Sequence, residues 1–401
     1  RMPEGALPET TGPDLPETMG VLLRRGGGPR PARRVALIHY WLVGMRGGEK
    51  VLEALCGMFP QADIYTHVVV PARLSERLRA HRIETTFVAR LPFAARAYQK
   101  YLPFMPRALE QIDLSGYDLV ISSESGPAKG VIPPPDAAHL CYCHSPMRYL
   151  WDQYHTYRRG AGLLTRALMP HMAHRLRIWD VTSAARVDRF VANSTHVAAR
   201  IAKYWRREAD VVAPPVSVED FAPAPPGEVG DYYLWAGELA PYKRPDIAIA
   251  AAARAGRRLV MVGGPARTAK ALAAGAPDNV EVLGPVDFAT LKHHLARCRA
   301  LVFPGEEDFG IVPVEAMASG RPVIAYGRGG ALDSVVDGET GLLFGDQSAA
   351  GLAEAIARFE ASGLDRADPA RLTAHARRFD AGAFRSGISE ALAGLGIHVP
   401  A

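Results

Sequence analysis

Between residues 211 and 230 the stretch VVAPPVSVEDFAPAPPGEVG interrupts every regular pattern around it, and the pattern it interrupts is the same on both sides. Its Pro-Pro pairs at 214–215 and 225–226 lack the N–H groups that helices and central strands need. Upstream, RRVALIHYWL reads as a buried strand, VGMRGG as a loop, and EKVLEALCGMF as a helix with Val51, Leu52, Leu55 and Phe59 on one face. More strands are legible at YDLVISS (117–123), AHLCYCHS (138–145) and RFVANS (189–194). Downstream, DYYLWAG, RRLVMVGG, VEVLG, ALVFPG and RPVIAYG are short strands, most of them separated by helical sequence. Strands alternating with helices demand parallel sheets, because a parallel neighbour is reached only through a crossover. A chain of 401 residues also exceeds what one core serves. The expectation is an α/β protein with two parallel-sheet domains in tandem, 34–214 and 215–380, and a helical tail over 381–401. Residues 1–33, rich in Pro, Gly and Glu without periodicity, are expected to form a disordered extension.

Charge separates the two halves. Residues 34–214 carry 24 Lys and Arg against 15 Asp and Glu, whereas residues 215–401 carry 18 against 23. A basic first domain points to an anionic surface or ligand. Nucleic acid is not expected, since no helix-turn-helix, zinc-finger or RNA-binding signature is present. The absence of a run of ~18 apolar residues and of a secretory pattern predicts a cytoplasmic, non-spanning protein. Four cysteines, Cys56, Cys141, Cys143 and Cys298, fit reduced thiols better than a disulfide framework.

The stretch PGEEDFGIVPVEAMASGRPVIAY (304–326) concentrates the chemistry. An apolar strand ends in Glu306, Glu307 and Asp308, and the helix that follows carries Glu315. The N–H groups of Phe309, Gly310, Ile311 and Val312 lie at that helix's start, unpaired and suited to an oxyanion or sugar hydroxyls. Acids before a helix also complement its dipole, worth roughly 0.3–1 kcal/mol. That explains Glu307 and Asp308 but leaves Glu315 unexplained.

The segment resembles the E-x7-E signature of retaining glycosyltransferases of family 4, with Glu307 and Glu315 as the two acids. MRGGEK, YCHSPMRYLWD, VANSTHVAARI, AGELAPYKRPDIAI and GGALDSVVDGETGLLF are similar to further family segments, in the family's order. HYWLVGMRGGEKVLEAL and CYCHSPMRYLWDQY most resemble bacterial mannosyltransferases of exopolysaccharide and O-antigen assembly. The resemblance implies the GT-B arrangement, two Rossmann-like domains facing a cleft, with the tail packed back on the first. The first domain would take the acceptor and the second the nucleotide sugar. It implies transfer of a hexose, mannose from GDP-mannose, to a polyprenyl-diphosphate-linked saccharide at the inner membrane surface, without a metal or other cofactor.

The same resemblance assigns roles. Glu307 and His144 would contact the transferred sugar and act as catalytic residues, and Glu315 would accept from the ribose hydroxyls. Lys243 and Arg244 would meet the diphosphate together with Gly47 and Gly48, while Gly284 and Val286 would border the base. The sequence departs from the family at Glu238, where an arginine is usual, and Glu238 is expected to turn aside and pair with Lys243 or Arg244. The run Cys141-x-Cys143-His144 invites a metal reading, but it does not supply four spaced zinc ligands. Residues 88–109 interleave Arg90, Arg96, Lys100 and Arg107 with Phe93, Tyr98, Tyr101, Phe104 and Met105, and read equally as a membrane-surface segment or as an amphipathic helix pair with aromatics in the core. A UDP-sugar donor and a sugar-nucleotide epimerase of related fold stay open as alternatives. A nicotinamide dehydrogenase and a P-loop nucleotidase lack their glycine motifs here.

Overall fold

The computed structural model describes residues 30–32 and 34–399. In the first half the strands are β1 (Val35–His39), β2 (Asp63–Thr66), β3 (Ile83–Thr85), β4 (Leu119–Glu124), β5 (Ala138–Cys143), β6 (Arg189–Ala192) and β7 (Ala209–Val211). In the second half they are β8 (Tyr233–Ala236), β9 (Leu259–Val262), β10 (Val280–Gly284), β11 (Ala300–Phe303), β12 (Val323–Tyr326) and β13 (Gly341–Phe344). The first sheet is ordered β3-β2-β1-β4-β5-β6-β7 and the second β10-β9-β8-β11-β12-β13, and the pairings are parallel. Both are therefore doubly wound Rossmann-like sheets. In each, the order reverses beside the first strand, between β1 and β4 and between β8 and β11, which opens a crevice at the strands' carboxyl ends.

Period-two burial builds these layers. Val35 and Leu37 enter one core with Leu119 and Leu140, while Ala36 and Ile38 enter the core on the opposite face with Val120. In the second sheet Leu234, Val260 and Leu301 face one cluster, and Tyr233, Leu259 and Ala300 the other. Strands covered on both faces read as continuous apolar runs, which is why they were visible in the sequence.

The helices that matter below are α1 (Gly47–Met58), α2 (Leu163–Ala184), α3 (Thr195–Trp205), α4 (Pro245–Ala255), α5 (Ile311–Ala318) and α6 (Ala381–Ala393). Phe384, Ile388 and Leu392 of α6 share the first domain's core with Val35 and Leu37, so the chain's last helix lies on its first domain.

Two expectations need correction. Of the extension over 1–33, residues 1–29 and 33 lie outside the described residues, but Arg30–Pro31 form a short strand parallel to Ile397–His398. Residues 88–109 are neither a continuous amphipathic helix nor a helix pair. They break into a 3-10 turn (Phe87–Arg90), a short helix (Ala94–Ala97), a 3-10 stretch (Tyr98–Phe104) and the start of Met105–Glu110. Pro103 and the left-handed backbone at Phe93 (φ 55°) explain the breaks. Val88, Ala94, Met105 and Ala108 are core, while Phe93 is 82% exposed.

Candidate active site

The crevice of the second domain is built by three loops. Lys243 closes a 3-10 turn (Pro241–Lys243) after β8, and its Nζ donates to Glu307 Oε1 at 2.6 Å. Glu307 sits in the loop after β11. A Cβ at Gly305 would lie 2.7 Å from Lys243 Cα, so glycine is what lets the acid loop pass this close to the lysine turn. The Glu307 carbonyl accepts from Gly330 N–H at 2.9 Å, which ties a third loop beneath the acid. The Phe309 ring is buried, 5.8 Å from that of Phe379, so the side chain anchors the loop, while its backbone N–H meets no backbone carbonyl among the described residues.

Helix α5 starts from Gly310 (φ 85°). Among the described residues no backbone carbonyl takes the N–H groups of Gly310, Ile311 and Val312, which leaves donors at the positive end of the helix dipole. Glu315, one turn on, is buried and forms no ion pair among the described residues. Burial pushes its carboxyl above the ordinary carboxylate range, partly opposed by Lys50 of α1 across the cleft.

The first domain supplies the facing wall. Gly47 and Gly48 open α1. A Cβ at Gly47 would lie 3.4 Å from Ile311 Cδ1, and one at Gly48 only 2.1 Å from the Tyr40 hydroxyl oxygen. The two helix starts thus meet across the cleft. His144 follows β5, with its N–H on the Glu124 carbonyl (2.8 Å) and its Nε2 2.8 Å from Ser123 Oγ. That hydroxyl is also 3.0 Å from Nδ1 of His39, so His39, Ser123 and His144 form a chain across the ends of β1, β4 and β5. Burial lowers both imidazoles, that of His144 to about 4, so the chain is neutral at physiological pH.

The other sequence-predicted residues have surroundings of their own. Arg244 is engaged by Asp246 through Nε (2.9 Å) and Nη2 (2.7 Å), turned to its own helix start. Glu238 is exposed and pairs with neither Lys243 nor Arg244, whose acids are Glu307 and Asp246, so the expected pairing is not formed. Gly284 ends β10 and accepts from Gly263 N–H at 2.7 Å, while Val286 leans on the second-domain core. Cys141 and Cys143 lie in a core cluster with Ala184 and Val187, while His144 bonds to Ser123, so the three do not converge as ligands.

Arg200 of α3 was not foreseen. Its Nη1 donates to Ser145 Oγ (2.8 Å) and Asp308 Oδ1 (2.7 Å), and its Nη2 to Asp152 Oδ1 (2.5 Å). One buried guanidinium therefore ties the His144 loop to the acid loop. Beside it, Thr195 N–H and Oγ1 donate to Asp333 at 2.6 and 2.5 Å. His39 and Ser123 left the weak signal of polar residues at the carboxyl ends of apolar strands, but Arg200 left none on its amphipathic helix.

Known proteins share this two-domain plan. Residues 45–220 match Glycosyltransferase Family 4, and residues 219–379 match Glycosyl transferases group 1. The two matches together span residues 45–379, and the fold is the two-domain GT-B arrangement. Among solved structures it is similar to HepE of Anabaena in complex with UDP, with 17% identity, TM-score 0.64, and 90% of this chain and 99% of that one covered. It is likewise similar to sucrose-phosphate synthase from Thermosynechococcus elongatus, with 18% identity, TM-score 0.66, and 90% and 98% covered. At such identities the likeness concerns fold. A D-inositol 3-phosphate glycosyltransferase of Acidothermus cellulolyticus is 35% identical over 232 residues, 50% of this chain and 51% of that one. The corresponding protein of Frankia alni is 34% identical over 177 residues, 37% and 44%. The chain spans about half the length of the curated relatives it matches.

Proposed function

We propose that the chain is a retaining hexosyltransferase whose second domain holds a nucleotide sugar and whose first domain holds the acceptor. The observation that carries this reading is the Lys243–Glu307 pair at the second switch point, with the start of α5 beside it and Gly47 of the first domain facing Ile311. An ammonium has three donors, so the bond to Glu307 leaves two for a departing diphosphate. The free N–H groups of Gly310, Ile311 and Val312 supply fixed partial charge for the same anion. Glu307 orients the transferred sugar, and Glu315 accepts from ribose hydroxyls. In this reading the acceptor oxygen bonds to the anomeric carbon as the bond to the diphosphate breaks, on the same face. Its proton passes to a diphosphate oxygen, so no protein nucleophile and no metal take part.

The donor in this reading is GDP-mannose, supported by the likeness of residues 39–55 and 141–154 to bacterial mannosyltransferases. The acceptor is a polyprenyl-diphosphate-linked saccharide met at a membrane surface. A UDP-sugar is the second reading, favoured by the UDP-bound neighbour of like fold. Thermal-shift measurements with GDP, UDP and ADP separate the two, since a ligand at 100 times its Kd stabilises by roughly 2.7 kcal/mol. GDP is expected to give the largest shift, and a clear preference for UDP would discard the mannose donor.

A further inference from the structure

Just before Gly47, residues 43–46 wall a cavity of about 650 Å³ on the first domain. Arg46, Arg73 and Arg96 line it together with Met45 and Tyr98, and no carboxylate does. Other arginine sites carry their own acids, as Arg200 does with Asp152 and Asp308, and Arg299 with Glu360 and Asp365. These three take part in no ion pair among the described residues, and Arg73 makes only a 3.4 Å bond to the Val43 carbonyl. Three exposed cations around one concavity repel one another and focus a positive potential into it. Guanidinium forks match phosphate oxygens two at a time. A multivalent phosphate is the ligand class that meets both conditions.

The cavity's position says which substrate it serves. Lys243 and the start of α5, the cations and donors suited to a nucleotide diphosphate, belong to the second domain. The arginine cavity belongs to the first, and the loop that walls it runs directly into Gly47, which faces Ile311 of α5. A molecule with its phosphate among the arginines therefore has the rest of its body within reach of the donor site. We infer that this cavity binds the phosphate or diphosphate of the acceptor, through Arg73 and Arg96 with Arg46 at the border of the two sites. The inference rests on the glycosyltransferase reading with its phosphorylated acceptor and adds the site and residues that hold that phosphate.

Inorganic pyrophosphate is the probe, titrated calorimetrically into the full chain saturated with whichever nucleoside diphosphate it binds best, so that the donor site is filled. One pyrophosphate-binding event is expected. Arg73→Ala and Arg96→Ala should each weaken it at least tenfold and leave nucleotide affinity within twofold. Both side chains are exposed, and unchanged melting temperatures check that the variants fold. No binding to the saturated protein, or binding that both variants retain, overturns the inference. If no nucleoside diphosphate binds at all, the donor reading fails instead, and the same titrations on the unliganded chain still decide the cavity's role. Displacement of pyrophosphate by a short-chain prenyl diphosphate supports a lipid-linked acceptor, displacement by a polyol phosphate supports a water-soluble one, and displacement by neither counts against the inference.

Discussion

Glu315 is a residue whose charge works against the fold. Its carboxyl is buried on α5 and its pKa is raised, chiefly by that burial. In the window between the ordinary carboxylate value and the raised one, the native state holds a proton that the unfolded chain has lost. The contribution is thus favourable at low pH and is lost as pH rises through the folded-state value. Glu315→Gln, which keeps the shape without the charge, should therefore melt higher than the parent at pH 7.5, with the gap closing towards pH 4. The same change should weaken nucleotide binding at least tenfold, about 1.4 kcal/mol, if the carboxylate accepts from ribose. A variant that gains stability yet binds nucleotide like the parent would remove Glu315 from the site. The histidine chain yields a second expectation. Nε2 of His39 is buried without a partner, and a bare lone pair is a commoner orphan than an N–H. His39 then carries its proton on Nδ1 and donates to Ser123, whose hydroxyl donates to His144 Nε2, leaving His144 protonated on Nδ1 as a neutral donor. Nitrogen-15 histidine spectra should show that single tautomer in the parent and a mixture in Ser123→Ala, with kcat about tenfold lower, roughly 1.4 kcal/mol in the barrier. A Ser123→Ala spectrum identical to the parent's would dissolve the chain's role.

At the scale of elements, what was legible followed from burial. Strands such as β1 and β12 are covered on both faces, so VALIH and VIAY announce themselves, and the prolines at 214–215 and 225–226 mark the change of domain. Glu307 and Glu315 were visible because a strand end and the helix after it keep them close in sequence. Arg200 and the 43–46, 73 and 96 cavity were not visible, because tertiary structure assembles them from separate elements. The 88–109 segment misled for another reason: its spacing is amphipathic, but Pro103 and the turn at Phe93 break it into pieces. A more continuous apolar surface lies on α2, where Leu163, Leu164 and Leu168 are exposed near Arg158, Arg159 and Arg166. Leu102 of the broken segment packs against the same helix's cluster, which joins the two basic surfaces. No helix among the described residues is long and apolar enough to cross a membrane. Vesicles containing anionic lipid should bind the protein at low ionic strength and release it near ~0.5 M salt, where screening is stronger. Leu163→Asp with Leu164→Asp should abolish that binding and leave nucleotide affinity alone. Binding indifferent to both salt and these substitutions would remove α2 from the membrane contact.

For the whole molecule, the decisive question is what holds two separately packed domains at a working distance. Each has its own core on both faces of its sheet, so the domain interface is where relative motion is cheapest. Arg200 stands at that interface. It is nine-tenths or more buried and holds Ser145 and Pro146 of the His144 loop on one side and Asp308 of the acid loop on the other. Its removal would leave Asp308 without its ion-pair partner and Asp152 with Arg148 alone, a loss on the order of 1–3 kcal/mol for a partly buried charge left unpaired. Lysine should not restore the contact, because one ammonium cannot span acceptors that the guanidinium fork meets in several directions. Arg200→Ala and Arg200→Lys should therefore both enlarge the radius of gyration in X-ray scattering and lower kcat, while nucleotide affinity, set within the second domain, changes little. Asp308→Ala should act through the same contact. In a double-mutant cycle on kcat/KM, the effects of Arg200→Ala and Asp308→Ala should be non-additive by about 0.5–3 kcal/mol, the range seen for residues in direct contact. Strict additivity, or scattering unchanged in all three variants, would mean that Arg200 braces the first domain alone and that closure is set elsewhere.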